Sequence, residues 1–390
     1  MRNKLELAQI VKQFGKELTI KESLSPIQNK ALFNIMLCRT AYLGGHEEVC
    51  DHCGEIRYSY NSCGDRHCPK CQSTKQALWV EHLQETTLPV KHFHIIFTVP
   101  HCLNDICLWN SSMFYKHLFS AVWRTLHSFG YTHFGSETGA IAILHTWGQN
   151  LSLHPHIHCI VPAVGFSLNG KWKHIGKSEK YLYPVHELSE TFKGKFLDSM
   201  KRELNKSDVH PNFKSHIQKA YATKWIVFSE YSLAKAEHVI KYLGQYTHRV
   251  AISNQRIKNI SKTHVTFIAK DYRDNGSAKL LTLDGVEFLR RFCLHVLPKQ
   301  FVKIRRYGIY NHTTKKNLEL FPTSENKSDN NKTHEPIKKE TAIETVKRLS
   351  GIDLCQCPKC KKGVMIAVKE LPRIRSPNTN IPVLLLSLMQ

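Results

Sequence analysis

The sequence predicts an α+β chain: a mostly antiparallel sheet with helices laid on one side, preceded by a small cysteine-bearing ribbon. Three observations lead there. Between residues 92 and 230, short runs rich in β-branched and aromatic residues alternate with longer runs of helical period, the pattern of a layered sheet-and-helix domain. The stretch Leu153-His154-Pro155-His156-Ile157-His158-Cys159-Ile160-Val161 places His154, His156 and His158 on one face of an extended strand and Ile157, Cys159 and Val161 on the other. Finally, Cys50-Asp51-His52-Cys53 and Cys68-Pro69-Lys70-Cys71, separated by fourteen residues, have the spacing of a closed four-thiolate zinc site.

In chain order, residues 5–18 read as a short amphipathic helix. Ser25-Pro26 caps a second helix through Ala31, Leu32, Ile35 and Met36, which Gly44-Gly45 ends. After the cysteine pairs, His92 to Val99 is a strand closed by Pro100, residues 111–128 a helix with a broad aromatic face, and Gly139 to Trp147 a strand leading into the histidine strand. Residues 165–184 form a hairpin turning at Asn169-Gly170. A basic helix over 186–205, a strand over 221–230 and a helix over Ser232 to Val250 follow. The strand HVTFIAKDYRD, a helix after Asp284-Gly285 and the basic run KQFVKIRRYGIY come next. Residues 311–338, rich in Asn, Lys, Thr and Ser, read as a flexible linker.

Lys and Arg number 55 against 32 Asp and Glu, a formal net charge of +23 in 390 residues. That imbalance implies a polyanionic partner, nucleic acid above all. No run reaches the length of a membrane span and the N-terminus has no unbroken apolar centre, so a soluble intracellular protein is expected. Thirteen cysteines, an odd number, fit reduced thiols and metal sites better than disulfides.

Two imidazoles at i and i+2 on a rigid strand, here His156 and His158, can hold a catalytic divalent ion with open positions; a histidine-rich strand without metal fits the same spacing. In Ser232 to Val250 the apolar residues Leu233, Ala236, Val239, Ile240, Leu243 and Val250 recur at helical spacing, while His238, Tyr242, Gln245, Tyr246 and Arg249 fall on another face, with Tyr242 and Tyr246 one turn apart on one side. Taken alone, such tyrosines fit packing and hydrogen bonding at the core's edge better than catalysis. Cys355, Cys357 and Cys360 make half a zinc knuckle, compatible with a second zinc and a distant ligand, a vestigial site or surface thiols.

The strand HPHIH at 154–158, the helix YLGQYTHR at 242–249 and the ribbon NSCGDRHCPKCQ at 61–72 together resemble the rolling-circle transposases of bacterial insertion sequences. These are two-tyrosine members of the HUH endonuclease superfamily, in the insertion sequence ninety-one group. Further likeness lies in HFHIIFTVPHCLN at 92–104, WGQNLSLHPHIHC at 147–159, RVAISNQRI at 249–257 and EFLRRFCLHVLPKQFVKIRRYG at 287–308. The resemblance implies an HUH-nuclease-like central antiparallel sheet with flanking helices, the two histidines on its middle strand and the tyrosine helix across it.

It also implies a mechanism. With Mg²⁺ or Mn²⁺ on His156 and His158, Tyr242 or Tyr246 attacks a scissile phosphate, giving a 5′-phosphotyrosine and a free 3′-hydroxyl that drive rolling-circle transposition. Such sites take a third ligand; Gln245 is the preferred choice here, with His154 and Gln149 as alternatives. The expected partners are single-stranded ends of the protein's own element and target DNA, contacted by Arg66, Lys70, Arg249, Arg256, Arg305 and Arg306; the oligomeric state is left open. Cys50, Cys53, Cys68 and Cys71 are the expected ligands of a structural zinc ion, with Cys63, His67, His52 and His46 as neighbours. Competing functions are a plasmid relaxase or replication initiator and a non-catalytic zinc-dependent DNA-binding regulator. The expected organisation is N-terminal helices over 1–45, a zinc-binding domain over 46–90, a nuclease domain over 91–310, the linker, and a cysteine-containing tail over 339–390, in a cytoplasmic, nucleoid-associated protein.

Overall fold

The computed structural model describes residues 5–175, 181–205, 209–233, 251–271, 274, 276–311, 344, 347–348, 351 and 353–374. Tyr242, Gln245, Tyr246 and Arg249 lie outside the described residues, as does the expected linker from residue 312 onward.

Two helices open the chain, α1 (Leu7–Lys21) and α2 (Pro26–Leu37); Ser25 caps the second, its hydroxyl accepting from the Gln28 amide. Strands β1 (Gly45–Cys50) and β2 (Ile56–Tyr60) precede α3 (Pro69–Thr86). Next come β3 (His92–Thr98), the short α4 (Asn104–Trp109) and the long α5 (Ser111–Phe134). The last was expected to stop near residue 128. It continues because nothing ends it before Gly135, which takes a left-handed φ of 60° and closes the C-terminus.

β4 (Ser136–Glu137), β5 (Gly139–Trp147), β6 (Leu153–Pro162), β7 (Val164–Ser167) and β8 (Trp172–His174) then run without an intervening helix. Gly170, at φ 71°, turns β7 into β8. α6 (Val185–Lys201) and α7 (Phe213–Ala222) precede β9 (Ile226–Leu233). Two expectations are corrected here. Residues 221 and 222 end α7 instead of opening a strand, and Ser232 and Leu233, assigned to the tyrosine helix, are strand. Pairing explains the second: Leu233 lies opposite His92, so the ladder with β3 overrides the local helical period. β10 (Ile257–Ile260), β11 (His264–Asp271), β12 (Ser277–Asp284), α8 (Gly285–Cys293), β13 (Ile304–Gly308) and β14 (Met365–Leu371) complete the described elements.

These elements group into two compact units, one of residues 1–78, 248–296 and 329–390, the other of 79–247 and 297–328. This differs from the five consecutive segments expected. In the first unit α1 buries Leu7, Ile10, Val11, Phe14 and Leu18, and its partner is α8, where Gly285 lies so close that any Cβ would collide with the Phe14 ring. An apolar helix face is covered by whatever part of the chain returns to it, and here that part is more than 260 residues downstream, as the Gln28 side-chain bond to the Cys293 carbonyl also shows, spanning 265 positions at 2.9 Å. The unit holds two three-stranded sheets, β14-β1-β2 and β10-β11-β12.

The second unit is built on a five-stranded sheet in the order β13-β5-β6-β3-β9, every neighbouring pair antiparallel, so the histidine strand is the middle one. One face carries Phe93, Ile95, Phe97, Leu144, Ile157, Cys159 and Val161, all buried. Phe97 meets Phe192 of α6 edge-on at 5.1 Å, and Phe114 of α5 meets Phe196 at 5.3 Å. Each such aromatic contributes about 2–3 kcal/mol through burial, which holds the sheet rigid behind the histidines. On the opposite face Ile141, Ile143 and Ile160 pack with Leu83, Leu88, Ile309 and Tyr310.

His92 sits at the edge of that cluster, wholly buried, with Nδ1 2.7 Å from the Val90 carbonyl and Nε2 2.6 Å from the Tyr310 hydroxyl. Burial lowers its pKa to about 4. Because the folded-state value is depressed, the unfolded chain takes up this proton first on acidification. The associated stability is complete above about pH 6.5 and lost as pH falls toward 4, up to about 3 kcal/mol. Urea unfolding across that range should show a shallower acid limb for His92→Gln than for wild type; equal slopes would remove His92 as the cause.

Candidate metal centre

On β6 the side chains alternate as the sequence requires, and antiparallel pairing adds the neighbours. His156 lies opposite His145 of β5 and Thr98 of β3; His158 lies opposite Ile143 and Ile96. Paired residues share a face, so His145, His156 and His158 point the same way. They form a group whose candidate ligand nitrogens all lie within 4.8 Å of one another. The ring centres of His145 and His158 are 4.3 Å apart, and those of His156 and His158 4.9 Å. Among the described residues no carboxylate joins this group.

The rings are held for coordination. His156 Nδ1 lies 2.7 Å from the His154 carbonyl, an acceptor only, so Nδ1 carries the hydrogen and Nε2 the lone pair. His158 Nδ1 lies 2.8 Å from Nε2 of His94, an imidazole only 1% exposed, which leaves Nε2 of His158 for a ligand. Burial, reinforced by His154, lowers His156 to about 3; burial and then His156 hold His158 well below the ordinary range. Both are therefore neutral near pH 7, the form that binds metal. Trp147 stacks on His145 at 4.9 Å, and Lys303 Nζ lies 4.8 Å above the Trp147 ring. That ammonium also acts on His156 and His158, placing positive charge beside the centre.

The sequence identified two of the three histidines. For the third position it offered His154, Gln245 and Gln149. His154 lies beside His101, ring centres 5.3 Å apart, and stands outside the group of three. Gln149 is in the turn between β5 and β6. His145 was missed because β5 is apolar on both faces, and only the register of the β5–β6 hairpin reveals the partnership.

The expected zinc site is also redrawn. Cys50, Cys53, Cys68 and Cys71 do not meet around one point. Cys68 and Cys71 join Cys38 and Cys63, while Cys50 and Cys53 join Cys357 and Cys360. The physical reason is the β1–β2 hairpin: the Cys50–Cys53 turn lies at its far end, whereas Cys68 and Cys71 open α3 against the end of α2. Cys71 Sγ is 3.5 Å from Cys38 Sγ and 3.6 Å from Cys63 Sγ. Four sulfurs at the Zn–S distance of about 2.3 Å define a tetrahedron with edges of about 3.8 Å, so this set fits zinc. Hydrogen bonds from the Cys63 and Cys68 thiols push Cys38 down to about 2, the response of one thiolate to crowded thiol donors.

Of the cations proposed for DNA, Lys70 pairs with Glu6 at 2.7 Å and donates to the Cys38 carbonyl at 3.1 Å, tying α1 to the cysteine cluster. Arg256 donates to the carbonyls of Ile268 at 2.7 Å and Ala251 at 3.4 Å, with its guanidinium 5.6 Å from the centre of the Phe267 ring. Both are engaged within the fold. Arg305 lies over Phe119 at 4.1 Å, Arg306 is exposed and donates to Thr86 at 3.2 Å, and Arg66 is exposed. Among the described residues no helix is long and apolar enough to cross a membrane.

Two family models match the chain: one described as "Putative transposase" over residues 139–317, which contains the three histidines, and one described as "Transposase zinc-binding domain" over 10–99, which contains Cys38, Cys63, Cys68 and Cys71. The protein named "Putative transposase y4qJ" from Sinorhizobium fredii (strain NBRC 101917 / NGR234) is 38% identical over 400 residues, covering 95% of this chain and 97% of the relative. The "Transposase for insertion sequence element IS801" from Pseudomonas savastanoi pv. phaseolicola is 25% identical over 296 residues, 73% of this chain and 70% of the relative. No solved structure matches. A mixed helix and antiparallel-sheet chain with an N-terminal cysteine cluster, alike over nearly its whole length to such a relative, belongs to the transposases of the insertion sequence 91 type.

Proposed function

We propose that this transposase cuts and rejoins single-stranded DNA at the histidine centre of β6, with Tyr242 or Tyr246 as nucleophile. The observation that carries the reading is the group of His156 and His158 on the middle strand of a rigid sheet with His145 on the neighbouring strand β5. His145, His156 and His158 would hold a divalent ion, which would supply polarisation of a non-bridging phosphate oxygen and charge stabilisation in the transition state. Among the described residues the group offers three imidazoles and no carboxylate, nitrogen ligands to which a transition-metal ion such as Mn²⁺ binds more readily than the harder Mg²⁺.

The chain's own groups do the rest. His154 and His94 fix the rings of His156 and His158, and Lys303 adds a cation beside the phosphate. A tyrosine hydroxyl attacks phosphorus in line: the Oη–P bond forms, the P–O3′ bond breaks, and the phenolic proton leaves to solvent while the 3′-oxygen takes one up. The product is a 5′-phosphotyrosine and a free 3′-hydroxyl, whose return attack rejoins the strand without an external energy source. Two tyrosines permit two successive exchanges, as rolling-circle transposition needs.

Incubating the protein with labelled single-stranded DNA bearing its element's ends, with Mn²⁺ or with EDTA, tests this. A covalent adduct is expected with Mn²⁺ only, and none from the Tyr242→Phe, Tyr246→Phe double variant. Tight DNA binding without an adduct under any metal would replace the enzyme with a DNA-binding regulator.

A further inference from the structure

Cys357 and Cys360 lie outside both matched segments, 10–99 and 139–317, yet they complete a cluster with Cys50 and Cys53. We infer that Cys50, Cys53, Cys357 and Cys360 bind a second zinc ion, independent of the first, which fastens residues 353–371 to the N-terminal ribbon.

The sulfur geometry is that of a tetrahedral site. Cys50 Sγ lies 3.7 Å from Cys360 Sγ, and Cys53 Sγ lies 3.7 Å from Cys357 Sγ. These match the edge of about 3.8 Å expected for zinc thiolates and are far from the disulfide length of about 2.05 Å. Each pair comes from one tight turn, and the two turns match. Gly54, four residues after Cys50, donates its amide to the Cys50 carbonyl at 3.1 Å and has φ 71°; Lys361, four residues after Cys357, donates to the Cys357 carbonyl at 3.1 Å and has φ 57°. The left-handed region disfavours a lysine, so the second knuckle is held in shape against a local preference. The Gly363 amide lies 3.4 Å from Cys360 Sγ, as donors to metal thiolates do.

The surroundings are built to close over these sulfurs. β14 pairs with β1 from Gly45↔Leu371 to Cys50↔Met365. Asp51 accepts from the Val364 amide at 2.8 Å and donates its own amide to the Val364 carbonyl at 3.1 Å. Lys359 pairs with Glu55 at 2.7 Å. At Gly363 a Cβ would stand 2.5 Å from Cys50 Sγ, so only glycine fits beside that sulfur. Among the described residues the apolar core here is Cys50, Cys357 and Met365, with Cys360 against it. So small a core does not hold a strand and two knuckles, the situation in which small folds use a metal.

The test is the number of thiolate-bound ions per full-length chain, with zinc measured by elemental analysis and Co²⁺ substitution reporting thiolate coordination by its charge-transfer absorption; an ion on His145, His156 and His158 gives no such band and is left out of the count. Wild type and Cys355→Ser should hold two ions per chain, and Cys357→Ser, Cys360→Ser together should hold one, with the cobalt absorption halved. Cys360→His, which keeps a zinc ligand, should retain two ions and serves if the double serine variant fails to fold. One ion in wild type, or two in a folded double serine variant, overturns the second site; neither outcome bears on cleavage chemistry at the histidines.

Discussion

Replacing His145 by Ala should remove the metal-dependent DNA cleavage proposed above while leaving the fold and metal-free DNA binding intact. His145 projects from β5 onto the face shared by His156 and His158 and is one of three mutually close imidazoles. Deleting it should take away a proposed ligand whose ring, 2% exposed, packs against Trp147 and the other histidines, so His145→Asn serves as the packing control. Metal polarisation supplies several kcal/mol of transition-state stabilisation; losing about 4 kcal/mol slows adduct formation on the order of 10³-fold. His94→Ala should act more weakly, lowering metal affinity by roughly 10–100-fold, because it only orients His158. His154→Ala should change little beyond the packing against His101. Mn²⁺ titration followed by calorimetry, alongside the adduct rate, separates these cases. Wild-type affinity and rate in His145→Ala, with both lost in Gln245→Ala, would return the third position to Gln245.

What the sequence made legible follows from the range of the forces involved. The histidine strand was readable because alternation is local: His156 and His158 share a face in any extended strand. The caps at Ser25 and Asp284 were readable for the same reason, Asp284 Oδ1 accepting from the Val286 and Glu287 amides at 2.9 and 3.2 Å. His145 depended on hairpin register, which no local pattern in Gly139 to Trp147 encodes. Cys38 ends a helix and looks like one more small core residue, and Cys53 meets Cys357 across 304 positions. Lys70 and Arg256 looked like surface cations because composition shows charge and not its partners. In each case the missing information was a contact outside the residue's own element, from 5 and 12 positions away for Arg256 to 304 for Cys53.

The same distinction shapes the effect of removing the first zinc. Cys63→Ser should release one ion and unfold the ribbon formed by residues 38–71, although Cys63 belongs to no CxxC pair. Its sulfur is 3.6 Å from Cys71 Sγ and its amide 3.5 Å from Cys38 Sγ, so it joins the end of α2 to the start of α3. Structural zinc supplies on the order of 10 kcal/mol in small domains, and that binding energy is folding energy. Packing around Cys38, Cys68 and Cys71, all buried, returns only part of it. Had the site been Cys50, Cys53, Cys68 and Cys71, Cys63→Ser would leave the zinc content unchanged and Cys50→Ser would unfold the start of α3. Elemental analysis with limited proteolysis of the two variants decides between the arrangements. The grouping seen here requires that Cys63→Ser expose the α2–α3 segment and that Cys50→Ser spare it.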